Sequence, residues 1–383
     1  MTVMYNVGRL VIGLMVRAPI DFSLPSGQYL ATLIERSEAL LKDLHEAMVQ
    51  PFVEGFPAAL SNSNANPFET AEAMREPIFY GAESAYSFQY RDRAPKKYGR
   101  DEEWLRKNKG FSIEEARQAV VAICDLLNEK LLATLLRLKD MPKEAWSMLD
   151  GFEFSPSEII AKSGLPTGVV EKIIATFSFA NDGNPTFTSL HEFNSTNAYP
   201  LLKVDEKRYI LFQYVSLTEA LYDTPFYWMA ADRSYEQAAM ANRGRFTEEF
   251  AAERLERVFG ADKVFRNIDI FESKGKKFGE IDTLVLFANR AIVVQAKSKK
   301  LTLAARKGND LQLKGDFKSA VQDAWDQAYA CSQQVFLGSS VFVDAAGKEI
   351  KIPKSIKEIY PICLVSDHYP ALSVCPETSL GAA

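Results

Sequence analysis

The sequence predicts a multidomain protein of mixed α/β class. A helical N-terminal region covers residues 1–150, and residues 151–240 form a middle unit of helices followed by a hairpin. A C-terminal unit over 241–383 has the order α-β-β-β-α-β. Three observations carry this reading. Apolar residues recur at three- and four-residue spacing through the first third, helix-start signals and turn residues alternate through the middle, and short apolar runs stand between two helical patterns after residue 240. A chain of 383 residues, 47% hydrophobic and 25% charged, is ample for several buried cores.

Taken in order, Ser26 is placed to cap a helix running to about Val49. In it Leu30, Leu33, Ile34, Leu41, Leu44 and Met48 mark one buried face. Residues 61–67 read as a polar loop, with helical patterns resuming near Thr70. Arg91, Arg93, Lys96 and Lys97, flanked by Tyr90 and Tyr98, read as a solvated basic loop. Ser112 and Glu115 make a capping box that opens a helix from Ile113 to Leu138. A second capping box, Ser155 with Glu158 and Pro156 at the first position, opens a helix that stops at Gly164. Pro166-Thr167 starts another helix through Phe177. A hairpin-like stretch follows, turning at Asp205-Glu206-Lys207, and helices followed by such a wing resemble a winged-helix module. A base-reading helix displays Arg, Lys, Asn or Gln. This one offers only Lys172 against Glu171, so a structural or protein-docking role is expected ahead of base reading. Ser216 and Glu219 read as the cap of a further helix, and Phe226-Tyr227-Trp228 as core or an interdomain contact.

The last unit reads as helix (246–259), strands (263–272, 279–288, 290–298), helix (315–337) and strand (360–367). Its centre is a hairpin over residues 279–299, turning at Ala288-Asn289-Arg290. Strand alternation puts Asp282 on a face with Glu280, Leu284 and Leu286, and Ile281, Thr283 and Val285 on the other. On the second strand Val293, Gln295, Lys297 and Lys299 share a face. If the two polar faces coincide, a carboxylate, an amide oxygen and an ammonium converge at the end of otherwise apolar strands. On the preceding helix, Glu248 borders the stripe of Ala251, Ala252 and Leu255, whereas Glu249 points to solvent.

An acidic helix, Asp on one strand and [Glu/Gln]-x-Lys on the next resemble the core of the PD-(D/E)xK nuclease superfamily. Gly279-Glu280-Ile281-Asp282 and Val294-Gln295-Ala296-Lys297 are closest to its Mrr-like restriction endonucleases and nuclease-related-domain proteins. The resemblance covers the C-terminal third of the chain. It implies a restriction-endonuclease-like core and metal-dependent hydrolysis of phosphodiester bonds, with DNA as the substrate and a setting in restriction or phage defence. Mg²⁺, or Mn²⁺ in its place, would be held by Asp282, the Gln295 side-chain oxygen, the Ala296 carbonyl and Glu248. Lys297 would orient or deprotonate the attacking water. Gln in place of Glu removes one negative charge from the cage, so weaker metal binding follows. Lys318 and Gln322, with Lys314 at four-residue spacing, would lie near the phosphate, and Lys299, Lys300, Arg306 and Lys307 would continue a basic rim. The first 240 residues would restrain the nuclease through a regulatory partner or a second copy. The competing reading is a degenerate nuclease fold that binds nucleic acid or a protein without cleaving, with Asp282 and Lys297 a cross-strand ion pair.

Charge distribution bears on the partner. The chain carries −5 overall, but residues 241–320 hold 17 Lys plus Arg against 11 Asp plus Glu, a local +6 that leaves −11 elsewhere. A basic domain in an acidic chain can still bind a phosphate backbone. Cys124, Cys331, Cys363 and Cys375 show no metal-binding or disulfide spacing, and His45, His191 and His368 have no catalytic partners at suitable spacing. That cysteine usage fits a reducing, cytoplasmic setting, and the apolar stretch from Leu10 to Val16 is too short for a membrane span and is followed by no cleavage site, so neither a span nor a signal peptide is expected there.

Overall fold

The computed structural model describes residues 2–23, 27–61, 85–142, 146–180, 182–188, 192–299 and 310–366. Ser26, residues 62–67, Thr70, His191, Lys300, Arg306, Lys307, His368 and Cys375, and the side chains of His45, Met48 and Lys314, lie outside the described residues. The chain is mixed α/β, with helices dominating the N-terminal part and a large sheet in the C-terminal part. It divides into two compact units between Ala239 and Met240. Among the described residues no helix is long and apolar enough to cross a membrane.

The first unit contains α1 (Thr2–Met15), α2 (Gly27–Ser61) as far as Pro57, α3 (Ser87–Tyr98), α4 (Glu102–Lys109) and α5 (Ile113–Leu138). After them come β1 (Glu153–Phe154), α6 (Pro156–Ser163), α7 (Thr167–Phe177), β2 (Ser178–Phe179), β3 (Leu201–Lys203), β4 (Tyr209–Ile210) and α8 (Tyr214–Ala230). Both capping boxes are present, with the Glu115 N–H donating to Ser112 Oγ at 3.0 Å and the Ser155 N–H to Glu158 Oε2 at 2.8 Å. One core runs through both stretches that the sequence reading separates at residue 150: Tyr98, Leu105, Ile123 and Leu127 pack with Ile159, Ile173, Phe177 and Leu221.

Several local expectations give way to tertiary contacts. The basic stretch Arg91 to Lys97 is helical rather than a loop, although it contains Pro95. Tyr90, Ala94, Lys97 and Tyr98 form a buried stripe there. The Lys97 ammonium donates to the Tyr222 carbonyl at 2.9 Å and to Asp223 at 3.2 Å, contacts that offset the lost backbone bond. On α2 the apolar stripe forms, yet Leu30 and Ile34 are exposed, because periodicity fixes which face is apolar and not whether the chain covers it. Ser216 is not a cap: α8 begins two residues earlier, with Gln213 at the cap position, and Ser216 is buried inside it. The β3–β4 hairpin lies in a four-stranded sheet of order β1-β4-β3-β2. Lys172 on α7 lies over Gly110, where an added Cβ would come within 2.7 Å of the ammonium. The one lysine of that helix is therefore engaged with its own unit.

The second unit starts within α9 (Glu236–Phe259), longer than expected, and continues with β5 (Val264–Ser273), β6 (Lys276–Phe287) and β7 (Arg290–Lys297). The expected second helix is α10 (Asp310–Phe317), a π-helical turn (Lys318–Gln322) and α11 (Asp323–Leu337). A short hairpin absent from the sequence reading, β8 (Val341–Val343) and β9 (Glu349–Ile350), precedes β10 (Glu358–Val365). The six strands form one sheet of order β10-β7-β6-β5-β8-β9, in which only β10 and β7 run parallel. Each face buries its own cluster. Leu284, Ala291 and Val293 pack with Ala328, Cys331 and Val335 of α11, and Val264 and Val285 pack with Ala252 of α9.

Candidate active site

The hairpin of β6 and β7 pairs Thr283 with Val294 and Phe287 with Arg290, and its ladder stops there, one residue short of Asp282 and Gln295. On the other side β5 pairs Arg266 with Thr283 and Ile268 with Ile281, and the intervening Asn267 and Asp282 do not pair. Asp282 thus sits at a gap in both ladders. The strict alternation read from the sequence slips here: Ile281 and Leu284, three apart, face the same α11 cluster, as do Phe265 and Ile268 on β5. A regular strand returns to a face every second residue. Asp282 therefore does not simply share the face of Leu284 and Leu286.

Its surroundings show where it lies instead. The Ala296 N–H donates to Asp282 Oδ2 at 2.7 Å. Burial raises the Asp282 carboxyl above the usual range, opposed by the Ala296 N–H and the Lys297 charge and reinforced by Glu280. Glu248 on α9 is half-buried and also raised, first by burial and then by the charges of Asp282 and Glu280. On the opposite layer, burial pushes the Cys331 thiol of α11 up to about 11, with the Asp282 charge contributing. The Asp282 charge reaches Glu248 in one layer and Cys331 in the other, and Asp282 itself feels the Lys297 charge. Glu249 is exposed.

Gln295 is fully buried. Its amide nitrogen donates to the Glu280 carbonyl, to which the Cys331 thiol also donates at 3.5 Å, while Gln295 Oε1 is buried with no hydrogen-bond partner. The Lys297 ammonium donates to Gln327 Oε1 of α11 at 3.3 Å. Asp282 and Lys297 form no ion pair with each other among the described residues. Gln327 and Cys331 escaped the sequence reading. The one available signal was a polar residue, Gln327, bordering the apolar stripe of Ala324, Ala328 and Cys331.

The residues expected to follow a phosphate backbone fare differently. Lys299 lies 3.3 Å from Asp316, which is only 1% exposed, so its charge offsets a buried carboxylate. Lys318 is exposed, but the π-helical turn breaks the four-residue periodicity that would align it with Gln322, whose amide donates to Asp326 at 2.7 Å. Much of the local positive charge is also neutralised in place: Lys263, Arg266, Lys276, Lys277 and Arg290 each stand in an ion pair.

Residues 243–359 match the nuclease-related domain. That match contains Glu248, Asp282, Gln295 and Lys297 and agrees with the resemblance drawn from the two strand motifs. No curated protein and no solved structure matches the chain. Among the described residues no three His, Cys, Asp or Glu side chains gather as a metal-holding group. The donor set expected for the nuclease-related domain needs only two of those types, Asp282 and Glu248, beside an amide and a backbone oxygen. Two buried or half-buried carboxyls held above the usual range, Glu248 by burial and the Asp282 charge and Asp282 by burial and the Glu280 charge, together with an orphaned buried amide oxygen, suit a hard divalent cation.

Proposed function

We propose that the nuclease-related domain hydrolyses phosphodiester bonds of DNA with the help of Mg²⁺, for which Mn²⁺ can substitute. The observation that carries this reading is the gathering of the Asp282, Glu248 and Glu280 charges with that of Lys297 around a break in the sheet. Asp282 and Glu248 would hold the cation, with the Gln295 amide oxygen and the Ala296 carbonyl completing the set. A divalent ion so bound supplies a water of lowered pKa and offsets charge on the phosphate. The amide nitrogen of Gln295 is tied to the Glu280 carbonyl, which leaves its oxygen as the free ligand atom. Lys297, steadied by Gln327, presents its ammonium to the phosphate oxygens as negative charge develops on them.

Purified protein is expected to cleave plasmid DNA in Mg²⁺ or Mn²⁺, and Asp282→Ala and Lys297→Ala are each expected to abolish cleavage while remaining folded. DNA binding without cleavage in either metal would instead make the domain a degenerate binding module. The restriction-endonuclease-like core topology is supported by the parallel placement of β10 beside β7 and by the helices on both faces. For residues 151–240 a winged-helix docking module is supported by the hairpin that follows α6 and α7. The resemblance also suggests phage defence, tested by whether wild type lowers phage plating and Asp282→Ala does not.

A further inference from the structure

The slip in alternation at Asp282 has a counterpart across the ladder. Asn267, the residue left unpaired opposite it, has φ of 50°, in the left-handed region that L-residues rarely adopt and that Asn tolerates best after Gly. Its side chain is exposed, so core packing does not explain the conformation. The register is the same on both sides of the gap, as Arg266 pairs with Thr283 and Ile268 with Ile281, so no residue has been inserted. What changes is facing: Phe265 and Ile268 on β5, and Leu284 and Ile281 on β6, all reach the α11 cluster. The left-handed residue and the change of facing on both strands fall at the same rung.

We infer that Asn267 is a positioning residue for Asp282. Its left-handed backbone takes the Asp282 carboxylate out of the alternation, to the point where it accepts the Ala296 N–H and shares the field of Glu248 and Lys297. In a regular ladder counted from Leu284, that carboxylate would face the α11 cluster among Ile268, Ile270 and Val293. Asn267 touches no substrate, and it acts only through Asp282. Its effect on cleavage rests on the nuclease reading; its effect on the position of Asp282 does not.

The test uses the full-length protein labelled with 15N-alanine, in chelator, and reads amide exchange at Ala296, with Ala291 on the same strand as the internal control. Asn267→Gly, which adopts the left-handed region freely, keeps the Ala296 amide as slow as in wild type. Asn267→Val, whose branched side chain opposes that region, speeds it about tenfold as the hydrogen bond to Asp282 is lost, and leaves Ala291 unchanged. Cleavage follows the same order, retained in the glycine variant and reduced in the valine variant. Should the valine variant fail to fold, Asn267→Ala replaces it with the same expected order. An Ala296 amide indifferent to valine or alanine overturns the inference, as does equal acceleration by glycine. If wild type does not cleave DNA but the Ala296 amide responds to valine and not to glycine, the nuclease reading fails and the positioning role stands.

Discussion

The backbone N–H of Ala296 donates to the carboxylate of Asp282 at 2.7 Å, across the end of a hairpin whose ladder has already stopped at Thr283 and Val294. This bond ties the aspartate of one motif to the Gln-x-Lys of the other. It also leaves the carboxylate buried, beside Glu280 and Glu248, at a cost in electrostatic free energy.

That cost should be visible as pH dependence. Because the folded-state pKa of Asp282 is raised, the folded protein binds its proton more tightly than the unfolded chain does. Stability therefore falls as pH climbs from the ordinary carboxylate range through the raised pKa, and the deficit persists at neutral pH. Asp282→Asn, whose side-chain oxygen can still accept the Ala296 N–H, is expected to melt a few degrees higher than wild type at neutral pH. The difference should vanish in acid near the usual aspartate pKa. Thermal melts across that range check it, and cleavage should be lost in the same variant.

Restoring the acidic residue of the resembled motif should not improve this protein. Gln295 gives the Glu280 carbonyl a donor from a fully buried position, and a carboxylate there would set oxygen against oxygen. Gln295→Glu is expected to lose about 1–3 kcal/mol of stability in urea titrations. If Gln295→Glu proved more stable in the absence of metal, the account of that amide would be wrong.

The turn between β6 and β7 carries a second left-handed residue, Ala288, with φ of 54°. A methyl-bearing residue is disfavoured there, whereas glycine is not. Ala288→Gly is expected to gain about 0.5–1 kcal/mol after the entropic cost of glycine is subtracted. Denaturant midpoints report it directly.

Lys348, Lys351, Lys354 and Lys357 stand three residues apart, all exposed, on a segment anchored by Ile350, Ile352 and Ile356. None of the four is in an ion pair among the described residues, unlike many basic side chains of β5 to β7. If they follow a DNA backbone, the double variant Lys351→Gln/Lys354→Gln should lower the slope of log Kd against log salt by about 1.8, two phosphates' worth. Duplex binding measured in chelator over a range of salt would show it. Lys276→Gln, which removes a lysine already paired with Glu272, should change the slope little.

What the sequence determined by itself was local. Ser112 with Glu115, and Ser155 with Glu158, each announce a helix start because donor and acceptor lie three residues apart and need nothing else to meet. The two strand motifs were legible for the same reason: the period of a strand and the residue types at its polar end are written in a few adjacent positions. Tertiary structure decided everything that depends on distant partners. Lys299 became the counter-ion of buried Asp316, Lys297 was tied to Gln327, the basic stretch around Pro95 became a helix on Tyr222 and Asp223, and the α2 stripe was left partly uncovered. The position of Asp282 belongs to this second class. A carboxylate's own neighbours fix its phase along a regular strand, but a left-handed residue on the next strand, Asn267, sits opposite the break in that phase. Phase is a property of the paired strands, so neither strand's sequence alone could disclose it.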